Sequence, residues 1–417
     1  MTRSDERPSF GEPPSLGEAP REYEPFDADC ARALMEEVVT PLNRNWFRGA
    51  ILGAHHLPER GPAILAANHS GNCLPYDAIF LDSMLWARDH YAPEQKLRTV
   101  FEHALTARWW MRLFGIDNLW RRAGGVDMTY DNFDRLLDRG DRVLYFPEGV
   151  PGIGKGFQNR YQLQPYHTSF VAMAAKHRLP VHPLYVVNGE WVMPFHFTLK
   201  PLDWVFQKVW RVPFFPLPAG LLAVVFPFLW YLALPAKMVV VAGDPIDVVG
   251  MLRDEGLHLS EGIPRGVLQR VAERIRREMQ AELDQLVPLH GEHPYRFGDL
   301  LRHLRRAGRQ CWKLLPTGWP IAFLRHDRDR VRPPARGRLH RWARDWDLLL
   351  FYVPFGWPLL TLARLLRKPP YGYRGMSAAG RREKRGDFLW RLAERPLPRR
   401  EKEFRSWPEE KGELAKV

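Results

Sequence analysis

A histidine and an aspartate in one short stretch are the residues of this sequence best suited to acid–base chemistry. His69 and Asp77 lie in the stretch Asn-His-Ser-Gly-Asn-Cys-Leu-Pro-Tyr-Asp, directly after the apolar run 63–67. An imidazole titrates near neutral pH, so it can take a proton from a substrate hydroxyl. A carboxylate on its other ring nitrogen would fix the tautomer and stabilise the imidazolium ion. This arrangement predicts a general base, His69, that is oriented by Asp77.

A purely structural interpretation of the same stretch remains open. The residues after Asp77 have the apolar pattern of a helix, and aspartate is a common N-terminal cap of helices. His69 would then be an ordinary loop histidine. The capping role and the orienting role of Asp77 do not exclude each other.

A second group of polar residues follows the apolar run 143–146. It begins with a Pro-Glu-Gly sequence and continues into a glycine-rich stretch that contains two cations. Glu148 is predicted to accept hydrogen bonds from a polyol, and Gly149 to let the backbone approach a ligand closely. Lys155 and Arg160, together with backbone N–H groups, suit a phosphate group. Alternatively, the stretch is a surface loop whose charges are only solvated.

Three other patterns carry less weight. Segment 149–155 nearly spells a nucleotide-binding P-loop, but Gly156 occupies the position of the Ser or Thr that would hold magnesium. Arg122 lies just before a glycine pair and is a weaker candidate phosphate ligand. A literal His-x4-Asp motif occurs at His340 and Asp345, but no strand precedes it and no Pro-Glu-Gly block follows it. We interpret that motif as a chance occurrence.

The elements around the two polar groups alternate between strand-like and helix-like patterns. The predicted strands are 63–67, 143–146, 181–187 and 237–241, and the predicted helices include 28–39, 78–87, 131–137, 166–176 and 264–287. The first of these helices is expected to stop at Pro41. Strands that alternate with helices predict an α/β fold with helices on the faces of a sheet. If the strands before His69 and Glu148 are neighbours, their ends form one pocket.

Composition divides the chain into three parts. It has 417 residues, of which 45% are hydrophobic and 26% charged, so it is not a disordered chain. We predict a disordered leader over 1–25, an α/β domain over 26–290 and a basic extension over 291–417. Residues 301–417 hold 29 Lys and Arg against 12 Asp and Glu, although the net charge of the whole chain is only +13. By charge alone the extension could meet anionic lipid or nucleic acid.

The three cysteines have no metal-site spacing and favour a reducing compartment.

Two uncharged segments help to decide between anionic lipid and nucleic acid as the partner of the extension. Segment 212–236 is long enough to span a membrane, but its five prolines disfavour one straight helix. Its Trp and Tyr residues and the flanking Arg211 and Lys237 suit a membrane interface, with a buried proline-rich loop as the alternative. Segment 348–363 is shorter and predicts an interfacial hairpin. Such aromatic, uncharged runs favour lipid over nucleic acid.

Three motifs together resemble the glycerolipid acyltransferase family, which includes glycerol-3-phosphate and lysophosphatidate acyltransferases. In chain order they are Asn68-His69 followed by Asp77, Phe146-Pro147-Glu148-Gly149, and Val181-His182-Pro183-Leu184. The resemblance covers roughly residues 40–250. It implies a mixed central sheet flanked by helices, and transfer of a fatty acyl group from a thioester to a hydroxyl group.

The resemblance also implies roles and partners. His69 and Asp77 would be catalytic, and Glu148 and Gly149 would bind the acceptor. The donor would be acyl-CoA or acyl carrier protein, with no metal and no resident cofactor. The acceptor would be a membrane glycerolipid or lysophospholipid. The protein would lie at the cytoplasmic face of the membrane and contact anionic lipid there. It would be monotopic or peripheral, or it would have one re-entrant or spanning segment. The alternative is a catalytically inactive membrane-binding protein of the same fold.

Two departures from the family pattern bear on these expectations. The usual spacing between His and Asp is four residues, whereas seven intervene here. After the Pro-Glu-Gly block, Val150-Pro151 replaces the usual Thr-Arg, whose arginine meets phosphate. That role would fall to Lys155 or Arg160, or the acceptor would lack a phosphate there.

Overall fold

A computed structural model describes most of the chain between residues 28 and 366. The described residues are 28–70, 74–92, 97–101, 124–197, 199–209, 215–257, 262–308 and 338–366, with the single residues 318, 321, 325, 328 and 329. Its strands are β1 (Ala50–Leu52), β2 (Ala63–Ala67), β3 (Leu97–Phe101), β4 (Val126–Asp127), β5 (Arg142–Tyr145), β6 (Val181–Val187) and β7 (Val239–Ala242). The predicted leader 1–25 and the end of the basic extension, 367–417, lie outside the described residues.

Helices surround these strands in sequence. They are α1 (28–47), α2 (Tyr76–Arg88), α3 (Tyr130–Asp138), α4 (Gly149–Gly154), α5 (Ser169–His177), α6 (Lys200–Val209), α7 (Ala219–Val225), α8 (Val248–Asp254), α9 (Arg265–His290), α10 (Phe297–Ala307), α11 (Arg338–Asp345) and α12 (Gly356–Leu366). Short 3-10 turns form at Ala54–His56, Phe157–Asn159, Glu190–Val192, Pro227–Tyr231 and Trp346–Tyr352.

The seven described strands form one mixed sheet in the order β1-β7-β6-β2-β5-β3-β4. Neighbouring strands are parallel except β6 and β7, which pair antiparallel. The predicted mixed sheet flanked by helices is therefore confirmed. The strands before His69 and Glu148, β2 and β5, are direct neighbours, with Leu65 opposite Leu144.

Each face of the sheet has its own hydrophobic core, because successive strand residues point to opposite sides. Leu65 and Leu144 face the core that α1 and α2 cover. Ile64 and Val143 face the core that α3, α5 and α9 cover. Both strands are buried along their whole length, as expected for parallel strands in the middle of an α/β sheet.

Helix α1 corrects one prediction, and α9 confirms another. The expected stop at Pro41 is wrong: the helix continues to Phe47 by alternating α-helical turns with the π-helical turns Met35–Val39 and Asn43–Phe47. Pro41 lies in the first turn of the short α-helical stretch Thr40–Leu42 between these π turns, the position in a helix at which the missing N–H of proline is tolerated. The predicted helix 264–287 is present as Arg265–His290, with Pro264 directly before it.

The uncharged segment 212–236 is not one straight helix. Its described part forms the short helix α7 and the 3-10 turn Pro227–Tyr231, as its prolines predicted. Within the described residues, no helix combines the length and the apolar character needed to cross a membrane.

Described parts of the predicted C-terminal extension pack onto the main domain. Leu348 and Leu360 share a hydrophobic core with Ala233. Arg48, at the end of α1, donates hydrogen bonds of 2.8 Å to the carbonyl oxygens of both Pro235 and Tyr295. These contacts tie the N-terminal helix, the uncharged segment and the region after α9 together.

Candidate active site

The site lies where three neighbouring parallel strands end. The sheet places β2 between β6 and β5, so their carboxyl ends meet at one edge. His69 follows β2, Glu148 follows β5 and Glu190 follows β6. Fold topology therefore gathers one histidine and two carboxylates from distant parts of the sequence.

His69 and Asp77 form the pair that the sequence predicted. The Nδ1 atom of His69 lies 2.6 Å from Oδ2 of Asp77, and the side-chain exposures are 7% and 0%. Asp77 lies in the first turn of α2, but the residue at the N-cap position is Pro75. The carboxylate of Asp77 accepts a hydrogen bond from the N–H of Ser70 at 2.6 Å. Asp77 is thus more than a helix cap, because its carboxylate holds the loop that follows β2.

Electrostatics keep Asp77 ionised. Burial by itself would raise the pKa of this carboxyl group, but the charge and hydrogen bond of His69 and the backbone N–H of Ser70 outweigh burial. Its pKa therefore lies below the usual value. An ionised carboxylate on Nδ1 makes Nδ1 the hydrogen-bond donor, so Nε2 carries the lone pair that can accept a proton.

Three contacts fix the position of His69. Its backbone N–H donates to Oε1 of Glu148 at 2.7 Å, and its ring stacks on Phe146 with a centroid separation of 4.4 Å. A side chain at Gly152 would place its Cβ 2.6 Å from the Cβ of His69, so glycine is required for α4 to lie this close. In the described part of the chain, Nε2 of His69 makes no hydrogen bond. The backbone, the ring face and Nδ1 of His69 thus all have partners.

Glu148 has a different role from the predicted contact with a polyol. Its side chain is fully buried, and its two oxygens accept hydrogen bonds of 2.7 Å from the backbone N–H groups of His69 and Gln164. Burial raises its pKa, although Lys155 and both N–H groups favour the ionised form. Glu148 thus joins two loops and helps to fix the position of His69, and its contact with an acceptor stays a prediction.

Lys155 is also placed differently from the predicted phosphate contact. Its Nζ lies 3.2 Å from Oε1 of Glu190, and both side chains are fully buried. Burial alone would lower the pKa of Lys155, but the charges of Glu190 and Glu148 outweigh it and the pKa lies above the usual value. The lysine stays charged and already has a carboxylate partner. This burial also removes the P-loop interpretation, since the lysine of a P-loop must reach a phosphate.

Three other residues were predicted to bind substrate: Gly149, Arg160 and Arg122. Gly149 has a φ of +55°, and its N–H donates to the carbonyl of Phe146 at 3.0 Å. That N–H is therefore occupied in the turn and is not a free oxyanion donor. Arg160 is exposed, with its guanidinium 5.0 Å from the ring centroid of Phe157. Arg122 lies outside the described residues.

Two residues that the sequence analysis left without a role also shape the site. The side chain of Asn68 accepts a hydrogen bond from the N–H of Val186 at 2.6 Å and donates one to its carbonyl at 3.1 Å, so it extends the pairing of β2 with β6. Glu190 holds Lys155 and accepts the N–H of Tyr161 at 3.0 Å. Its position just after β6 is a signal that could have found it, because β2 and β5 also end in site residues.

The second His-Asp motif forms no such site. His340 is exposed on α11, whereas Asp345 is buried and bonds to Arg328 at 3.1 Å and Arg344 at 2.8 Å. The prediction that this motif occurs by chance agrees with these contacts. Among the described residues, no cluster of three or more His, Cys, Asp or Glu side chains is arranged to hold a metal ion.

One part of the chain matches a known protein family. Residues 50–187 match the family model described as Acyltransferase, and this segment contains β1 to β6 and the whole His69–Asp77–Glu148 arrangement. This part of the chain is similar to that family, which agrees with the resemblance to glycerolipid acyltransferases that the motifs carry.

Two relatives and one solved structure are similar to parts of this chain. An uncharacterized protein of Mycobacterium leprae is 30% identical over 230 residues, which are 53% of this chain and 57% of that protein. An uncharacterized protein of Mycobacterium tuberculosis is 29% identical over 230 residues, with 53% of this chain and 58% of that protein covered. The match thus spans little more than half the length of these relatives. Among solved structures, the 1-acyl-sn-glycerophosphate acyltransferase PlsC of Thermotoga maritima has 14% identity and a TM-score of 0.36, covering 61% of this chain and 81% of that chain.

Proposed function

We propose that this protein transfers a fatty acyl group from an acyl thioester to a hydroxyl group of a glycerolipid or lysophospholipid acceptor at a membrane. The observation that carries the proposal is the buried His69–Asp77 pair, 2.6 Å apart, at the end of β2 in an acyltransferase domain. The free Nε2 of His69 is the position from which a general base can reach a substrate hydroxyl.

The proposed reaction is a direct transfer. His69 removes the proton of the acceptor hydroxyl as its oxygen attacks the thioester carbonyl, and a C–O bond forms. The tetrahedral intermediate then collapses, the C–S bond breaks and the thiolate leaves. A thiol has a far lower pKa than an alcohol, so the thiolate needs no general acid. Asp77 stabilises the imidazolium ion throughout, and no covalent acyl-enzyme is required.

The donor and the location follow from the same chemistry. Acyl-CoA and acyl carrier protein both present an acyl thioester, and either satisfies the proposed reaction. The lipid acceptor resides in a membrane, so we place the protein as a monotopic or peripheral protein at the cytoplasmic face, where thioester donors are found. The reducing environment that the cysteines favour supports this side of the membrane.

The buried ion pair bears on the class of acceptor. Lys155 is the nearest cation in sequence to the missing Thr-Arg, but Glu190 neutralises it at 3.2 Å. A phosphate monoester at this place would have to displace a buried carboxylate, which is costly. We therefore propose a hydroxyl acceptor with no terminal phosphate at this subsite, such as a neutral glyceride or a lysophospholipid with a phosphodiester head group.

Acyl transfer from labelled oleoyl-CoA to a panel of acceptors tests both the proposed reaction and the proposed class of acceptor. The panel holds glycerol-3-phosphate, lysophosphatidate, lysophosphatidylcholine and monoacylglycerol, with His69→Ala as the matched variant. We expect product with the last two acceptors and none with the variant. Preference for lysophosphatidate would contradict the proposed acceptor class and leave the reaction in place. No product with any acceptor, from oleoyl-CoA or from acyl carrier protein, would overturn the reaction in favour of an inactive membrane-binding protein.

A further inference from the structure

The two uncharged segments of the sequence meet in the structure. The backbone N–H of Phe355 donates to the carbonyl of Val225 at 2.5 Å, and the indole N–H of Trp357 donates to the carbonyl of Ala223 at 2.6 Å. The rings of Phe228 and Tyr352 are also in contact, with centroids 5.2 Å apart. Segments 219–232 and 346–366 therefore form one continuous surface, although more than 100 residues of sequence separate them.

The outer side of this surface is apolar. Helix α12 buries Leu360 and Ala363 but also exposes large apolar side chains on its other side. The main exposed residues of the two segments are Leu221 (57%), Leu222 (48%), Val224 (53%), Phe355 (60%), Leu359 (45%) and Leu362 (51%). A helix that faces water carries polar residues on its outer side, whereas one that is apolar all round is covered by something apolar.

Aromatic residues and cations border the surface and indicate what covers it. Helix α11, which leads directly into 346–352, exposes Trp342 and Arg341. On the α7 side, the Nζ of Lys208 lies 4.0 Å from the ring centroid of Trp204. Helix α6, which carries both, is joined to the surface by stacking of Phe206 on Phe215, just before α7. An apolar area edged by Trp, Lys and Arg is typical of proteins that sit in the head-group region of an anionic bilayer.

The surface is also connected to the catalytic pair. The hydroxyl group of Tyr76 donates to the carbonyl of Tyr231 at 2.8 Å, and Tyr76 is the residue before Asp77 in α2. The start of the catalytic helix is thus anchored to the segment that carries the apolar side chains.

We propose that segments 219–232 and 346–366 form the membrane-docking surface of this protein, and that the bilayer is its occupant. The surface lies outside residues 50–187, the part that matches the acyltransferase family model. That the docked membrane delivers the acceptor rests on the proposed function. Membrane binding itself does not depend on it.

Flotation of the full-length protein with lipid vesicles tests the proposal. Wild type is compared with Leu222→Glu and Leu359→Glu, on vesicles of phosphatidylcholine with and without phosphatidylglycerol. Leu289→Glu is the matched control, because Leu289 is 72% exposed on α9, which covers the opposite face of the sheet. We expect each surface variant to lower the partition coefficient about tenfold or more, and the control to bind like wild type. Phosphatidylglycerol should strengthen wild-type binding.

Three other results of flotation and sedimentation would overturn the proposal. Surface variants that float like wild type would exclude these leucines from the contact, and a wild type that does not float would exclude the bilayer. Sedimentation velocity without lipid distinguishes a second occupant: a wild-type dimer that the surface variants dissociate, with no vesicle binding, would assign the surface to self-association. Thermal unfolding confirms that the variants are folded. Normal flotation with no acyl transfer would overturn the proposed function and leave the docking surface in place.

Discussion

Two His-Asp motifs occur in this chain, and the one with the unusual spacing forms the site. Seven residues separate His69 from Asp77, yet the side chains lie 2.6 Å apart. Only four separate His340 from Asp345, yet His340 is exposed and Asp345 bonds to Arg328. The difference shows that the end of a central strand, with a neighbouring strand to hold the loop, matters more than the number of residues between the two side chains.

Replacement of the two histidines should give the largest difference in activity between the two motifs. His69→Ala is expected to lower kcat about 10²- to 10⁴-fold, because the general base is lost. His340→Ala should leave kcat unchanged, since that side chain is in solvent. Steady-state acyl transfer measures both, and thermal unfolding confirms that both variants fold. A comparable loss of activity in the two variants would contradict the assignment.

Replacement of the two aspartates should separate a positioning role from a structural one. Asp77→Asn is expected to lower kcat roughly 10²-fold with little change in the KM for acceptor, because His69 loses its preferred tautomer. Asp345→Asn should leave kcat unchanged but lower the free energy of unfolding by about 3 kcal/mol, because the buried Arg328 loses part of its charge compensation. Kinetics with urea unfolding gives both quantities. An unchanged kcat in Asp77→Asn, together with a loss of stability, would mean that Asp77 acts only in folding.

Helix α2 carries a second buried aspartate, Asp82, which can be compared with Asp77. Its replacement is expected to change stability and not activity. Burial raises the pKa of Asp82 to about 7, although a hydrogen bond from Thr99 and the charge of Arg98 favour the ionised form. The folded protein therefore holds this proton between about pH 4 and pH 7, where the unfolded chain releases it. The stability that the protonated group contributes is present below about pH 4 and is lost as pH rises through 7.

This linkage predicts the behaviour of Asp82→Asn. The variant should be more stable than wild type at pH 8, by on the order of 3 kcal/mol, and the difference should disappear at pH 4. Its kcat should equal that of wild type, in contrast to Asp77→Asn. Urea unfolding at the two pH values measures the difference. A difference in stability that does not depend on pH would show that ionisation of Asp82 is not its cause.

The sequence predicted the parts of the site that depend on local pattern. The apolar run before His69 and the helix that begins near Asp77 are both local, and the structure confirms β2 and α2 at these places. The α/β class follows from the same alternation of strand and helix. The course of α1 beyond Pro41 did not follow, because the local sequence pattern does not show that a new α-helical stretch begins at Thr40 between two π-helical turns.

The contacts that the sequence did not predict join residues far apart in the chain. Glu148 was expected to face a ligand, but its partners are backbone N–H groups of His69, 79 positions before it, and of Gln164, 16 positions after it. Lys155 was expected to bind phosphate, but Glu190 arrives from the end of another strand. Glutamate and lysine are both suited to ligands and to buried pairs, and only the order of the strands decides between these uses.

Asn68 has a consequence for the loop that joins His69 to Asp77. Its side-chain amide pairs with Val186 as a further strand residue would, so the chain leaves the sheet at His69 without unpaired backbone on β6. Glu148 and Asp77 then secure the first two loop residues. His69 and Ser70 are thus held at the end of β2, and Asp77 is held in the first turn of α2, on the two sides of the loop that joins them. We expect changes in the length of that loop to leave the His69–Asp77 contact in place.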